Sequence, residues 1–194
     1  ENIGITAKII HDQFKHVQLI MSGSSAFELR NQTNEPLTGR KWEYFLYPVS
    51  YEEYEKSQGY TSAVSDLENR LVYGFYPDVI NNSGEEREIL NEIIQSYLFK
   101  DILALGKIKK PEVLEKILRA LAFQVGSEVG YNELAQLIGI DKNTVASYIH
   151  LLELSYIVYP LTSFSRNLRN EIKTNRKIYF YDNGIRNALI QNFN

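Results

Sequence analysis

Lys142, Asn143, Thr144, Ser147, Tyr148 and His150 fall at spacings that one side of a helix would share. Arg166, Arg169, Lys173 and Arg176 follow in a short stretch, SFSRNLRNEIKTNR, that holds a single acid, Glu171. Cations of this kind neutralise phosphates, and hydroxyl and amide side chains hydrogen-bond phosphate oxygens and base edges, so the pattern suits nucleic-acid contact. Arginine and lysine supply the commonest specific base contacts. The absence of arginine from the helical set, with Asp141 at its start, weakens direct base readout.

The elements that must position these residues span Tyr131 to Pro160. In Tyr131 to Ile138 the apolar Leu134, Ala135, Leu137 and Ile138 share a helical face, Gly139 punctuates, and Asp141 suits the N-cap of a second helix, Lys142 to Leu154. That helix places Val145, Ile149 and Leu152 on its buried stripe. Two helices around a tight glycine turn form a helix-turn-helix, whose second helix enters the major groove of DNA. The apolar run Tyr156 to Leu161 predicts a strand and Lys177 to Tyr181 its antiparallel partner, with the basic stretch as the wing between them. Such winged helices also serve as protein–protein modules and as lids on ATPases, and a charged wing is often only a solvated loop.

The 194 residues, 44% hydrophobic, can bury a sizeable core in one or two domains. The chain has no cysteine, which excludes disulfides and thiolate metal sites and fits a reducing cytoplasm. No apolar run reaches the length of a membrane span. The net charge of −3 hides an asymmetry: residues 1 to 97 hold 8 basic and 15 acidic groups, whereas 98 to 194 hold 13 and 9, so the halves carry −7 and +4. The basic half is the one with the helix-turn-helix.

Elsewhere, residues 4 to 15 predict a helix and Val17 to Met21 a short apolar strand of the type buried in parallel sheets. The turn SGSS leads into another helix, the polar loop NQTNEPLTGR and an aromatic strand, Trp42 to Tyr47. Ser50 opens a helix with Glu52 and Glu53 in its first turn. A looser stretch and GFYPDVI precede an amphipathic helix from about Glu85 to Leu105. Pro111 suits the first position of the next helix.

In order, VQLIMSGSS, PLTGR, YPVSYEEY, GFYPDVI, YLFKDIL, the helix-turn-helix run, FSRNLRNEI and KIYFYDNGIRNALI resemble the prokaryotic ATPases of the AAA superclass that carry a C-terminal region of unknown function. The resemblance covers essentially the whole chain. It implies an N-terminal P-loop ATPase domain, a winged helix and a restriction-endonuclease-like tail in the parent protein. No G-x-x-x-x-G-K-[ST] phosphate loop occurs in these residues, and the Walker B acids that would hold magnesium are expected just before Glu1. The chain is therefore expected to be a fragment: residues 1–60 a remnant of the ATPase core, 61–110 a helical connector, 111–178 the winged helix and 179–194 the opening of the nuclease-like domain.

The resemblance matches Ser22 and Ser24 to a polar sensor region and Arg40 to a phosphate-sensing position, although Arg40 could equally pair with Glu43 or Glu35. Asp182 matches a position near the start of the nuclease-like domain, or else caps the helix beginning at Asn183. The expected fold class is α+β, mostly helical: a winged helix-turn-helix domain preceded by a remnant of a P-loop α/β core. Strands 17–21 and 42–47 would lack their full set of neighbours, so residues 1 to 60 are expected to be rearranged, poorly ordered or paired with another copy.

The functional expectation is the winged-helix recognition and coupling region of an ATP-binding AAA-type ATPase acting on DNA. The alternatives are a protein–protein interaction module and a stand-alone winged-helix DNA-binding regulator. ATP and magnesium are implied for the parent protein only. No cofactor or metal is expected in these residues, and the chain by itself should neither hydrolyse ATP nor cut DNA. DNA and a second copy are the candidate partners, a membrane is not one, and the location is read as cytoplasmic.

Overall fold

The computed structural model describes residues 3–23, 37–96, 110–162 and 176–194. The chain divides into two compact units, Glu1–Leu46 and Tyr47–Asn194. In all it is mostly helical with one small sheet, an α+β chain.

In the first unit, α1 (Ile3–Gln13) forms where the sequence places a helix. Neither expected strand, Val17 to Met21 or Trp42 to Tyr47, forms. A strand exists only through a partner that takes up its N–H and C=O groups, and no described residue of this unit offers one. The apolar side chains meant for a sheet stand in solvent instead: Ile20 is 82% exposed, Trp42 88% and Leu46 96%. The expected helix after SGSS lies outside the described residues.

The second unit opens with a run of short helices: α2 (Tyr51–Gln58), α3 (Tyr60–Ser65), α4 (Leu67–Tyr73) and α5 (Pro77–Asn81). The first, assigned on sequence to the ATPase remnant, packs against α3 in this unit. Ser50 closes a capping box on α2: its hydroxyl accepts from the Glu53 N–H and the Glu53 side chain accepts from the Ser50 N–H. Gly59 and Gly74 punctuate the run at φ 83° and 77°, which side chains with a Cβ rarely adopt. Helix α6 (Glu86–Ile93) forms within the expected Glu85–Leu105, a π-type turn continues it over 94–96, and 97–105 lie outside the described residues.

Next come α7 (Pro111–Phe123), with Pro111 in its first turn, β1 (Glu128–Val129), α8 (Tyr131–Ile138), α9 (Lys142–Leu154), β2 (Val158–Leu161), β3 (Arg176–Phe180) and α10 (Asn183–Leu189). The three antiparallel strands run in the order β1-β3-β2, with Val158 opposite Phe180, Leu161 opposite Lys177 and Val129 opposite Arg176. Two-residue β1 was not foreseen. Leu114, Ile117, Leu118 and Leu121 of α7, Leu134 of α8, Ile149 and Leu152 of α9 and Ile178 of β3 are all fully buried in one core. At about 25 cal/mol per Å² of apolar surface removed from water, such burial is the main term holding the unit together.

Helix α10 packs against α4, α6, α7 and β3. Asp182 caps it as expected, its Oδ1 accepting from the Ile185 N–H at 3.2 Å, and its Oδ2 also accepts from the Phe75 N–H at 2.7 Å, 107 residues earlier. The Asn187 amide donates to the Val72 carbonyl and the Arg186 guanidinium to the Ala122 carbonyl. Burial pushes the Asp182 carboxyl above its ordinary range, opposed by the N–H groups of Phe75, Ile185 and Gly184 and by Arg70. Buried Arg70 lies between Asp66, 2.9 Å from its Nε but off the line of that N–H, and Glu86 at 3.8 Å, while the Tyr54 hydroxyl donates to Asp66.

This junction tolerates no added bulk: a Cβ at Gly184 would lie 2.1 Å from the Tyr73 carbonyl oxygen. Gly184→Ala is expected to reduce stability by about 1–3 kcal/mol, read as a lowered urea midpoint at constant slope. Gly59→Ala, with open space around the new methyl but a backbone at φ 83°, ψ 151° that is essentially glycine's alone, is expected to cost about 1–3 kcal/mol.

Candidate nucleic-acid interface

Helix α8 ends at Gly139, which takes the left-handed conformation (φ 79°, ψ 40°) and donates its N–H to the Ala135 carbonyl. Two residues later Asp141 starts α9. Its carboxylate accepts from both the N–H of Thr144, at 2.9 Å, and the Thr144 hydroxyl. These bonds, the hydroxyl's first, hold the Asp141 carboxyl below its ordinary value, so the start of α9 stays anionic. Val145, Ile149 and Leu152 occur at helical spacing and are fully buried, which fixes the rotation of α9 about its axis.

That rotation decides what α9 shows. Lys142, Asn143 and Ser147 are exposed. Thr144 is half-buried and tied to Asp141, and Tyr148 packs against the core. Burial and then the charge of Glu112 raise the Tyr148 hydroxyl above its ordinary range. His150 is exposed, with Nδ1 3.5 Å from Glu153 Oε2. Arg176 shares a face of β3 with buried Ile178 and Phe180, and its guanidinium lies 5.9 Å from the centre of the Tyr131 ring. It reaches α8 rather than α9. Arg166, Arg169 and Lys173 lie outside the described residues, as does Ser24.

In the first unit Ser22 is exposed, and the Arg40 guanidinium donates to Asp12 at 3.0 Å, a partner that the sequence reading did not consider. Among the described residues no group of His, Asp and Glu is placed to hold a metal ion. No helix there is long and apolar enough to cross a membrane.

The sequence reading missed a set of tyrosines on the outer face of the sheet. Tyr159 and Tyr179, opposite each other on β2 and β3, stack at 5.7 Å; Tyr181 lies 5.0 Å from Tyr159 and stacks on Tyr47 at 5.2 Å. The signal was present in the aromatic density of YFLYPVSY and KIYFYD, but which rings meet depends on strand register.

Residues 64–194 match the family model of a domain of unknown function (DUF8612), and residues 1–55 match that of an AAA domain. A Haemophilus influenzae protein, described as an uncharacterized protein, is 26% identical over 186 residues, which cover 90% of this chain and 46% of that protein. The chain thus spans about half the length of that curated relative. No solved structure matches it.

Asp141 allows a direct check on the start of α9. Its lowered carboxyl stabilises the fold above the ordinary value of 3.8, and that contribution is lost as pH falls through the lower folded-state value. Asp141→Asn keeps an acceptor for the cap but removes the titration. Between neutral pH and values below 3.8 its stability should fall less than the parent's, as read from urea unfolding across that range.

Proposed function

Because this chain belongs to the DUF8612 domain family and carries an AAA-type segment ahead of that domain, we propose that residues 111–178 form a winged helix that couples an ATP-binding AAA-type core to nucleic acid. The observation that carries the proposal is the order helix, short strand, helix, turn, helix and strand pair around a β1-β3-β2 sheet, with α9 burying Val145, Ile149 and Leu152 and showing Lys142, Asn143 and Ser147 to solvent. In that arrangement α9 takes the place of a recognition helix and the segment between β2 and β3 that of a wing. The cationic side chains Lys142, Arg166, Arg169 and Lys173 then position the module on phosphates, with Asn143 and Ser147 left to meet base edges. The apolar side chains exposed in residues 1–46 are what an ATPase core would bury against its other strands or a second copy. ATP and magnesium belong to that core in the whole protein; Ser22, Ser24 and Arg40 are its sensor candidates.

One observation favours a protein partner instead. Asp141 keeps a negative charge at the start of α9, where a phosphate would otherwise meet free N–H groups.

Binding of the chain to duplex DNA, measured by mobility shift over a range of salt concentrations, separates the two. The DNA reading expects affinity to fall as salt rises, and the combined variant Lys142→Ala, Arg166→Ala, Arg169→Ala to lower the salt slope by about 1 for each phosphate contact removed. Binding unchanged by the triple substitution, or no binding at low salt, would leave the protein-partner reading.

A further inference from the structure

A cleft of about 330 Å³ opens at the head of α2, beside the Asp182 junction. Its walls are aromatic. Tyr47 and Tyr181 stack at 5.2 Å with their planes 14° apart, and Tyr51 meets Phe75 edge to face at 6.4 Å. The backbone holds these walls in place: the Val49 N–H donates to the Phe75 carbonyl, and the Phe75 N–H to Asp182. Ser50 and Asp182 add polar groups, and none of the nine described lining residues is basic. Near Asp182 the buried cation Arg70 faces two carboxylates, Asp66 and Glu86. The surroundings are electronegative from ring faces and carboxylates alike.

We propose that this cleft binds a small organic cation, an ammonium or guanidinium group, between the Tyr47–Tyr181 and Tyr51–Phe75 walls and over the Asp182 carboxylate. Ring faces attract such cations and tolerate their weak hydration. An ionised carboxylate has about four acceptor sites, and the backbone N–H groups of Phe75 and Ile185 leave capacity for a further donor. Burial disfavours the charged form of Asp182, and the nearby Arg70 is shared with Asp66 and Glu86, so an arriving cation adds countercharge to the junction. The group could be borne by a lysine or arginine side chain of a protein or by a free amine, and the inference stands apart from the DNA reading.

The test is an NMR titration that follows the rings of Tyr47, Tyr51 and Tyr181. Its probes are N-acetyl-lysine amide, N-acetyl-arginine amide, butylammonium, butylguanidinium and the neutral N-acetyl-norleucine amide. Saturable shifts in the millimolar range are expected from the cations and not from norleucine amide. Tighter binding of the amino-acid amides assigns the site to a protein side chain, and tighter binding of the alkyl cations to a free amine. Tyr47→Leu and Tyr51→Leu should each weaken binding about two- to fivefold, and Asp182→Asn more, with the circular dichroism of the parent retained. If Asp182→Asn unfolds, the tyrosine variants decide. Equal shifts from norleucine amide, no saturation at tens of millimolar cation, or tyrosine variants that bind like the parent would overturn the proposal.

Discussion

The second unit depends on one carboxylate. Asp182 starts α10 and at the same time accepts the Phe75 N–H, so a local cap is also the tie between segments 107 residues apart. Replacing it with an apolar side chain would leave two buried N–H groups without acceptors, each costing about 1–3 kcal/mol. The glycines around it follow from the same constraint. Gly74 lies against the carboxylate itself and Gly184 against the Tyr73 carbonyl, and at both places a methyl group would occupy space already filled. Buried Arg70 and Glu86, with half-buried Asp66, form a charged layer beside this tie.

What could be read from the sequence was governed by near neighbours. The caps at Ser50, Asp141 and Asp182, Pro111 in the first turn of α7 and Gly139 at the end of α8 each depend on residues within about four positions, and each occurs where the sequence places it. The stripe Val145, Ile149, Leu152 was legible for the same reason. Strands at 17–21 and 42–47 were misread because apolar content marks a segment that wants burial without saying what will pair with it. The Arg40–Asp12 pair spans 28 residues, and the tyrosine contacts across β2 and β3 depend on register; neither leaves a local trace. The helices α3 and α4 looked loose because Gly59, Asp66 and Gly74 divide them into pieces too short to show a period.

The two units differ in the same physical respect. The described part of residues 47–194 buries a continuous core, and the side chains of Ser50, Asp141 and Asp182 cap three of its helices. Among the described residues of 1–46 there are one helix and a set of large apolar side chains in solvent. A winged-helix reading of the second unit and an AAA-type match in the first therefore concern pieces of unlike completeness: α9 keeps its orientation through its own buried stripe, whatever the first unit packs against.

The strand order carries a kinetic consequence. In the β1-β3-β2 sheet the central strand is the last of the three along the chain, so β1 and β2 have no hydrogen-bonding partner until Arg176–Phe180 has been made. On a ribosome, where the chain emerges from its N-terminus, α7, α8 and α9 can collapse on one another early. The sheet, and with it the Phe75–Asp182 tie, must wait until β3 and Asp182 have been made. Because long-range pairing carries the loop-closure entropy before any contact rewards it, closing this unit is expected to follow the collapse of its helices as one cooperative event, set by the arrival of Arg176–Phe180.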